Sequence, residues 1–373
     1  MAIYAHITGW GMAVPERVLT NDELAQMVDT SDEWIQSRTG IRERRIASAE
    51  ETTASLAAEA SLKAIRVAQL TPAEIDLIIV STSTPEHLFP ATACIVQDKI
   101  GATQAGAFDL SAACTGFIFA LNMGAQAIRS GSIQNALVIG AETLSRFVDW
   151  EDRNTCVLFG DGAGAFVLQA SREPGGLLSS IMRSDGSGSD LLTLPAGGSQ
   201  QPTSMDTVHQ RLHYIQMKGR EVFRFATRVM ARATREAVEA AGLELEDIDT
   251  IVPHQANMRI IEAAARNLKL PIDKFALNLE CYGNTSTASI PLAVVEAVTQ
   301  GRINPDDHLV LVGFGAGLTW GAAVVHWTGP LLAEKPLHLR RYRLLSRLRS
   351  WLRRQRRRLE GYIWGRKHYN GKK

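Results

Sequence analysis

Apolar residues recur along this chain with two alternating periods. In residues 54–80, ASLAAEASLKAIRVAQLTPAEIDLIIV, alanine, leucine and isoleucine first fall at helical spacing, a Thr-Pro turn follows, and a continuous apolar run closes the unit. This reads as an amphipathic helix, a turn and a buried strand. Residues 234–252, TREAVEAAGLELEDIDTIV, read the same way, with Leu70, Ile75, Asp76 and Ile78 matching Leu243, Ile248, Asp249 and Ile251 at an offset of 173. A second pair, AIRSGSIQNALVIG at 127–140 and AVTQGRINPDDHLVLVG at 297–313, runs from a helix end through glycine into a strand, at an offset of 170. Glycine-rich turns then enter apolar strands at 160–168 and 315–327. Helices alternating with buried strands predict an α/β fold of layers with largely parallel sheets, repeated in two halves. The halves are placed at 1–172 and 173–329, followed by an extension over 330–373. The offset of 170 sets Cys114 against Asn284, and corresponding residues of two halves are expected where the halves meet, beyond the strand ends.

Charge changes the picture at the C-terminus. Residues 331–373 hold 15 lysines and arginines against two acidic residues, a balance of +13, so the total of +1 leaves −12 for residues 1–330. The start, MAIYAHITGWGMAVPE, has neither a cationic leader nor a continuous apolar core, and no run approaches a membrane span, so a cytoplasmic location is expected. The cysteines Cys94, Cys114, Cys156 and Cys281 form no C-x-x-C pair, which argues against a zinc cluster and a thioredoxin-type motif. The runs GDGAG and GFGAG feed strands rather than helix N-termini, and G-x-x-x-x-G-K-[ST], H-E-x-x-H and G-x-S-x-G are absent. A nucleotide-dependent oxidoreductase, a kinase, a zinc protease and a serine esterase are disfavoured.

Three segments carry candidate chemistry. In AFDLSAACTGFIFALNMGAQAI a short strand over 107–110 precedes a long apolar helix beginning near Cys114. A thiol at a helix N-terminus is biased toward the nucleophilic thiolate, although this segment taken alone fits an inert core cysteine better. In IVPHQANMRIIEAAARNL a buried strand ends before His254 and a helix starts around Ala256, so His254 is read as a hydrogen-bond donor or proton shuttle, or as a structural turn histidine. In CYGNTSTASIPLAVVEAV, Asn284 sits in a turn before an apolar helix and is read as an oxyanion donor or a plain turn residue. A thiol, an imidazole and a carboxamide, each at a strand-to-helix junction, suit acyl transfer through a thioester.

The runs TSDEWIQSRTGIRERRI, AFDLSAACTGF, FGDGAGA, VPHQANMRII and YGNTSTASIP, in this order, resemble the 3-oxoacyl-acyl-carrier-protein synthase III family over residues 1 to about 328. The resemblance implies a thiolase-like fold of two pseudo-symmetric halves layered α-β-α-β-α, acting as a homodimer. It implies that Cys114 takes an acyl group from acyl-coenzyme A, acetyl being the expected primer. His254 and Asn284 would then support decarboxylation of malonyl-acyl carrier protein and Claisen condensation, giving 3-oxoacyl-carrier protein and CO2. No cofactor and no metal are implied; the coenzyme A thioester and the phosphopantetheinyl carrier are substrates. Trp34 and Arg153 correspond to residues that sandwich adenine, with Arg38 and Thr39 nearby, and Arg259 to a carrier-docking position with Arg224 and Arg266 as companions. Phe89 corresponds to a residue that crosses the dimer interface to shape the acyl pocket, and the oxyanion loop reads Gly315-Ala316-Gly317 where the family has three glycines. The resemblance also makes Thr115, beside the nucleophile, a variable position, which leaves the choice of primer open. The alternatives are a related condensing enzyme or acyltransferase of secondary metabolism, and a non-catalytic scaffold for carrier protein and membrane.

The extension lies beyond this resemblance. Leu344, Leu345, Leu348, Trp351, Leu352 and Leu359 recur at helical spacing among arginines, predicting a basic amphipathic helix. Such a helix can contact an anionic membrane, grip the acidic body, recruit acidic carrier protein, or stand as a solvated appendage. It carries no groove-reading motif, so no nucleic-acid partner is expected.

Overall fold

Strands Tyr4–Ala13 (β1), Leu77–Ser81 (β2), Gly106–Leu110 (β3), Asn135–Thr143 (β4) and Asp161–Ser171 (β5) form one sheet in the order β1-β5-β4-β2-β3. Strands Gly176–Ser184 (β6), Thr250–Pro253 (β7), His308–Gly315 (β8) and Thr319–His326 (β9) form a second, in the order β7-β8-β9-β6. These come from a computed structural model that describes residues 2–329, 345, 348–360 and 362. The two orders superimpose when β1, β2, β4 and β5 are laid on β6, β7, β8 and β9. The counterpart of β3 shrinks to a single parallel bridge between Ile251 and Phe275.

The sheets are mixed, which corrects the expectation of largely parallel sheets. Pairs β2–β3, β2–β4 and β7–β8 are parallel, whereas β1–β5, β4–β5, β8–β9 and β6–β9 are antiparallel. The reason is local. Residues 316–318 are too short a link to cross a sheet, so β9 can only fold back beside β8, with Gly315 facing Thr319.

The principal helices are Asp32–Thr39 (α1), Thr53–Val67 (α2), Thr92–Ile100 (α3), Gly116–Arg129 (α4), Gly219–Ala240 (α5), Met258–Leu268 (α6) and Ser289–Thr299 (α7). Side-chain alternation decides the layering. On β4, Leu137 and Ile139 pack outward under α2 and α3, while Ala136 and Val138 pack inward against α4 and α7. On β8, Leu309 and Leu311 face the same two central helices, and Val310 and Val312 face α5 and α6. The α-β-α-β-α stack follows. Because both faces of each sheet are covered, the strands read as unbroken apolar runs rather than alternating ones. Of the C-terminal extension, residues 345, 348–360 and 362 are helical, while Leu344 and the rest of the expected helix lie outside the described residues.

The pairing of Cys114 with Asn284 is also corrected. The short turns Ala113–Thr115 and Ser286–Ala288 open with left-handed residues, Ala113 at φ 47° and Ser286 at φ 48°, and each leads directly into a central helix. They correspond at an offset of 173, so the counterpart of Cys114 is Thr287. The offset falls to 170 at the helix ends because α7, at 11 residues, is about one turn shorter than α4 at 14, and the loop to β8 restores the difference.

Candidate active site

Parallel strands end where the chemistry gathers. Beyond β3 the chain turns through Cys114 into α4; beyond β7 it passes directly into His254, whose backbone N–H continues the ladder to Val312 O at 2.7 Å. The next helix, α6, begins at Met258 rather than near Ala256, since Asn257 caps it by accepting from Arg259 N. Cys114, His254 and Asn284 are 7%, 1% and 7% exposed. Residues 284–289 touch all three places. Asn284 Oδ1 accepts from Ser286 N at 2.8 Å, which leaves the amide hydrogens as what this side chain can donate. Ser286 lines the same cavity as Cys114 and its hydroxyl acts to lower the thiol, and Ser289 Oγ lies 2.7 Å from His254 Nδ1.

The loop after β8 closes the site from the other side. A Cβ on Gly315 would stand 2.7 Å from the Cys114 backbone nitrogen, so only glycine lets the loop approach the nucleophile so closely. Gly317 takes the positive φ, 135°, and Ala316 does not, so the alanine that departs from the triple glycine carries no backbone strain. Thr319 Oγ1 lies 3.1 Å from Ala112 O and 3.0 Å from Ala316 O, tying this loop to the nucleophile turn. Thr115 is buried and bonds Thr319, and it does not line the small cavity of about 110 Å³ beside Cys114 that Leu144, Phe147, Phe159 and Ile215 line.

Burial dominates the electrostatics. The expected stabilisation of thiolate by the helix end is overridden: desolvation, reinforced by the nearby charge of Glu142, pushes the Cys114 thiol up to about 12, against the lowering by the Ser286 hydroxyl. Desolvation likewise pushes His254 down to about 3, so its imidazole stays neutral across the working range. The resting pair is thiol and neutral ring, and ionisation must accompany attack.

Sequence reading missed three residues here. Ser289 orients His254. Buried Gln255 donates to Pro253 O and Ala276 O while its Oε1 accepts from Asn278 N at 3.1 Å, fixing the peptide that follows the histidine. Glu142, fully buried at the end of β4, accepts from Thr84 Oγ1 at 2.6 Å and from Ser83 N, and desolvation raises it to about 7. A glutamate closing the apolar run NALVIGAET was the available signal. Above about pH 7 its ionised form opposes thiolate at Cys114. Glu142→Gln should therefore raise the rate of Cys114 alkylation by iodoacetamide by about three- to tenfold above neutral pH and leave it little changed below pH ~6, where the glutamate is already protonated. Superimposable pH profiles would refute this coupling.

The remaining candidates lie farther out. Arg153 stacks on the Trp34 ring at 5.3 Å and bonds Asp29 O at 2.7 Å, and Arg38 is exposed on the same helix. Thr39 corrects the reading: it is buried, donates to Ile35 O at 2.7 Å and accepts from Ile41 N at 3.0 Å, so it caps α1 instead of facing a ligand. Arg224 on α5 and Arg259 and Arg266 on α6 are all exposed, on helices packed against each other. Arg220, Arg228 and Arg232 extend that basic face at steps of four along α5, a period visible in the sequence but not read from it. Phe89 is 85% exposed on the loop before α3, not folded into its own chain's pocket.

Comparison with known proteins accords with this arrangement. Residues 108–186 match the 3-oxoacyl-[acyl-carrier-protein] synthase III family model, and residues 238–327 match the model of that family's C-terminal part. The chain is 53% identical over 328 residues to a beta-ketoacyl-[acyl-carrier-protein] synthase III of Roseiflexus sp. (strain RS-1), covering 88% of this chain and 100% of that protein. It is 56% identical over 321 residues to the Symbiobacterium thermophilum protein of the same name, covering 86% and 97%. The crystal structure of 3-oxoacyl-[acyl-carrier-protein] synthase III from Aquifex aeolicus VF5 superimposes with a TM-score of 0.80 at 47% identity, covering 87% of this chain and 100% of that one.

Proposed function

The chain belongs to the 3-oxoacyl-[acyl-carrier-protein] synthase III family, the acyl-transferring enzymes that initiate fatty-acid synthesis by condensation, and we propose the following division of labour among its residues. The Cys114 sulfur attacks the carbonyl of an acyl-coenzyme A, losing its proton as the bond forms. Backbone N–H groups of the Gly315-Ala316 loop stabilise the resulting oxyanion, and coenzyme A departs as the thiol, leaving an acyl-cysteine. Malonyl-carrier protein then enters, and cleavage of its carboxylate as CO2 leaves an enolate on the thioester. A hydroxyl proton from Ser289 to Nδ1 leaves the hydrogen of His254 on Nε2, and this N–H together with the amide hydrogens of Asn284 stabilises the enolate oxygen. The enolate carbon attacks the acyl-cysteine carbonyl, the Cys114 thiolate leaves and takes up a proton from solvent to restore the thiol, and 3-oxoacyl-carrier protein is released. The observation that carries this reading is the one short segment, 284–289, that supplies the carboxamide, bonds the imidazole and lines the cavity beside the thiol.

The cavity of about 110 Å³ suits a short primer, acetyl before longer or branched acyl groups. Trp34, Arg38 and Arg153 receive coenzyme A, the stacked indole and guanidinium parting to admit the adenine. Arg224, Arg259 and Arg266 dock the acidic carrier protein. A homodimer is supported by the outer edge of β3, unpaired among the described residues, and by exposed Leu88, Phe89 and Phe108, with Phe89 entering the partner's pocket. No cofactor is required beyond the two thioester substrates. Among the described residues no helix is long and apolar enough to cross a membrane, and we place the enzyme in the cytoplasm, with residues 331–373 available to an anionic surface. Mass spectrometry of the carrier protein after incubation with malonyl-carrier protein and a series of acyl-coenzyme A donors tests this directly. Acetyl donors should give the 3-oxoacyl product and CO2, with rates falling as the primer lengthens. Carrier-bound product from long primers only would overturn the primer assignment, and product from none would overturn the condensation itself.

A further inference from the structure

The described turns of the C-terminal helix settle a question the sequence leaves open, namely which face meets the body. Ser350, 5% exposed, donates to the Asp98 carboxylate of α3, and Arg354 Nη1 lies 3.2 Å from the same oxygen. Arg353 and Arg357 join them in walling a hollow of about 970 Å³ whose other side includes Glu59 and Glu86. On a helix of 3.6 residues per turn these four side chains share an arc of about 100°. The polar, basic face is thus turned inward onto an acidic surface.

The opposite face is mainly apolar and exposed, with the half-buried Gln355 as its one polar residue among those described. Leu345, Leu348, Trp351, Leu352, Leu359 and Tyr362, each between 46% and 73% exposed, fall within an arc of about 120° centred roughly opposite the body contacts. Arg349 and Arg356 border this stripe on one side and Arg358 on the other. A helix that merely gripped the acidic body would have no reason to present a row of leucines and aromatics outward, and a solvated appendage would pay hydration free energy for it.

We infer that this helix is a clamp-mounted membrane contact: Asp98 holds it by Ser350 and Arg354 so that the Leu/Trp/Tyr stripe enters the interface of an anionic bilayer while the bordering arginines engage lipid headgroups. Charge complementarity selects this occupant. The body, at −12, is repelled by an anionic surface, and among the described residues Arg349, Arg356 and Arg358, which border the stripe on the side away from the body, offset that repulsion. The match to known relatives ends before this segment, so the contact is an addition to the condensing fold and does not rest on the assignment of its active site.

Co-sedimentation of the full chain with vesicles tests it, using phosphatidylglycerol mixed with phosphatidylcholine against phosphatidylcholine alone. Wild-type protein should bind the anionic vesicles, at least about tenfold better than the neutral ones, and less well as salt rises. The variant Leu348→Glu/Trp351→Glu/Leu352→Glu should lose that binding by about tenfold or more while retaining full condensing activity, which reports an intact fold. Failure of the wild type to sediment with anionic vesicles would overturn the inference. So would equal sedimentation of the variant, which would reduce the effect to charge alone. A drop in oligomeric state of the variant in sedimentation velocity would also overturn it, by showing that a second copy of the chain covers the stripe.

Discussion

Replacing Cys114 with alanine should remove acyl-enzyme formation and lower condensation by about 10⁴-fold or more, because no other group stands where the acyl chain must rest. The other three thiols offer no substitute. Cys156 is buried in a separate cluster beside Arg44, its thiol pushed up to about 11 mainly by desolvation. Cys94 lies on the outer helix α3, and Cys281 precedes the Asn284 turn. Folding should survive, since loss of one sulfur from a partly walled cavity costs little beside the packing of α4. The check is turnover of acetyl-coenzyme A with malonyl-carrier protein. A residual rate within tenfold of wild type would remove Cys114 from the mechanism.

His254→Ala and Asn284→Ala should each separate the two half-reactions. Acylation of Cys114 uses the backbone donors of the Gly315-Ala316 loop and should persist within about tenfold. Condensation should fall by about 10²- to 10⁴-fold, the usual cost of deleting a donor aimed at a developing oxyanion. The double variant should be little worse than the poorer single one, because two donors to one enolate oxygen act as a unit. Ser289→Ala supplies a milder comparison: with Nδ1 of His254 deprived of its 2.7 Å partner, condensation should weaken while acylation does not. Rapid-quench measurement of acetyl loading alongside steady-state turnover distinguishes these outcomes, and an equal loss of both half-reactions would contradict the split.

The sequence made the ends of elements more legible than their contacts. His254 could be placed because a four-residue apolar strand stops at Pro253, and Cys114 because small residues separate a strand from a long apolar helix. Fold class was readable from the same alternation, along with the family resemblance. Sheet direction was not, since whether β9 returns beside β8 depends on a link of three residues rather than on the apolar runs themselves. The correspondence of Cys114 with Thr287 instead of Asn284 was hidden by a deleted helical turn in α7, compensated a few residues later, which leaves the average offset deceptively constant. Thr39 shows a different failure: its neighbours suggest a ligand cleft, but its hydroxyl is spent on the end of its own helix. Long-range polar partners such as Glu142 with Thr84, or Ser289 with His254, leave no periodic trace. In the C-terminal segment periodicity revealed an amphipathic helix, yet only the contact of Ser350 and Arg354 with Asp98 tells which face is turned outward.

The helix end does not make the Cys114 thiol reactive, because a dipole worth about a kcal/mol cannot offset full burial beside a glutamate. What the site offers instead is preorganisation. A neutral imidazole, a carboxamide with its oxygen already occupied, and a loop held at the nucleophile's backbone change little as negative charge develops on the substrate.

The primer is held on the sulfur of Cys114 between the two half-reactions. Wild-type protein incubated with acetyl-coenzyme A, then digested and analysed by mass spectrometry, should carry one acetyl group as a thioester on the peptide containing Cys114, and malonyl-carrier protein should discharge it. Acetyl found on Cys94, Cys156 or Cys281, or on no residue at all while condensation proceeds, would contradict it.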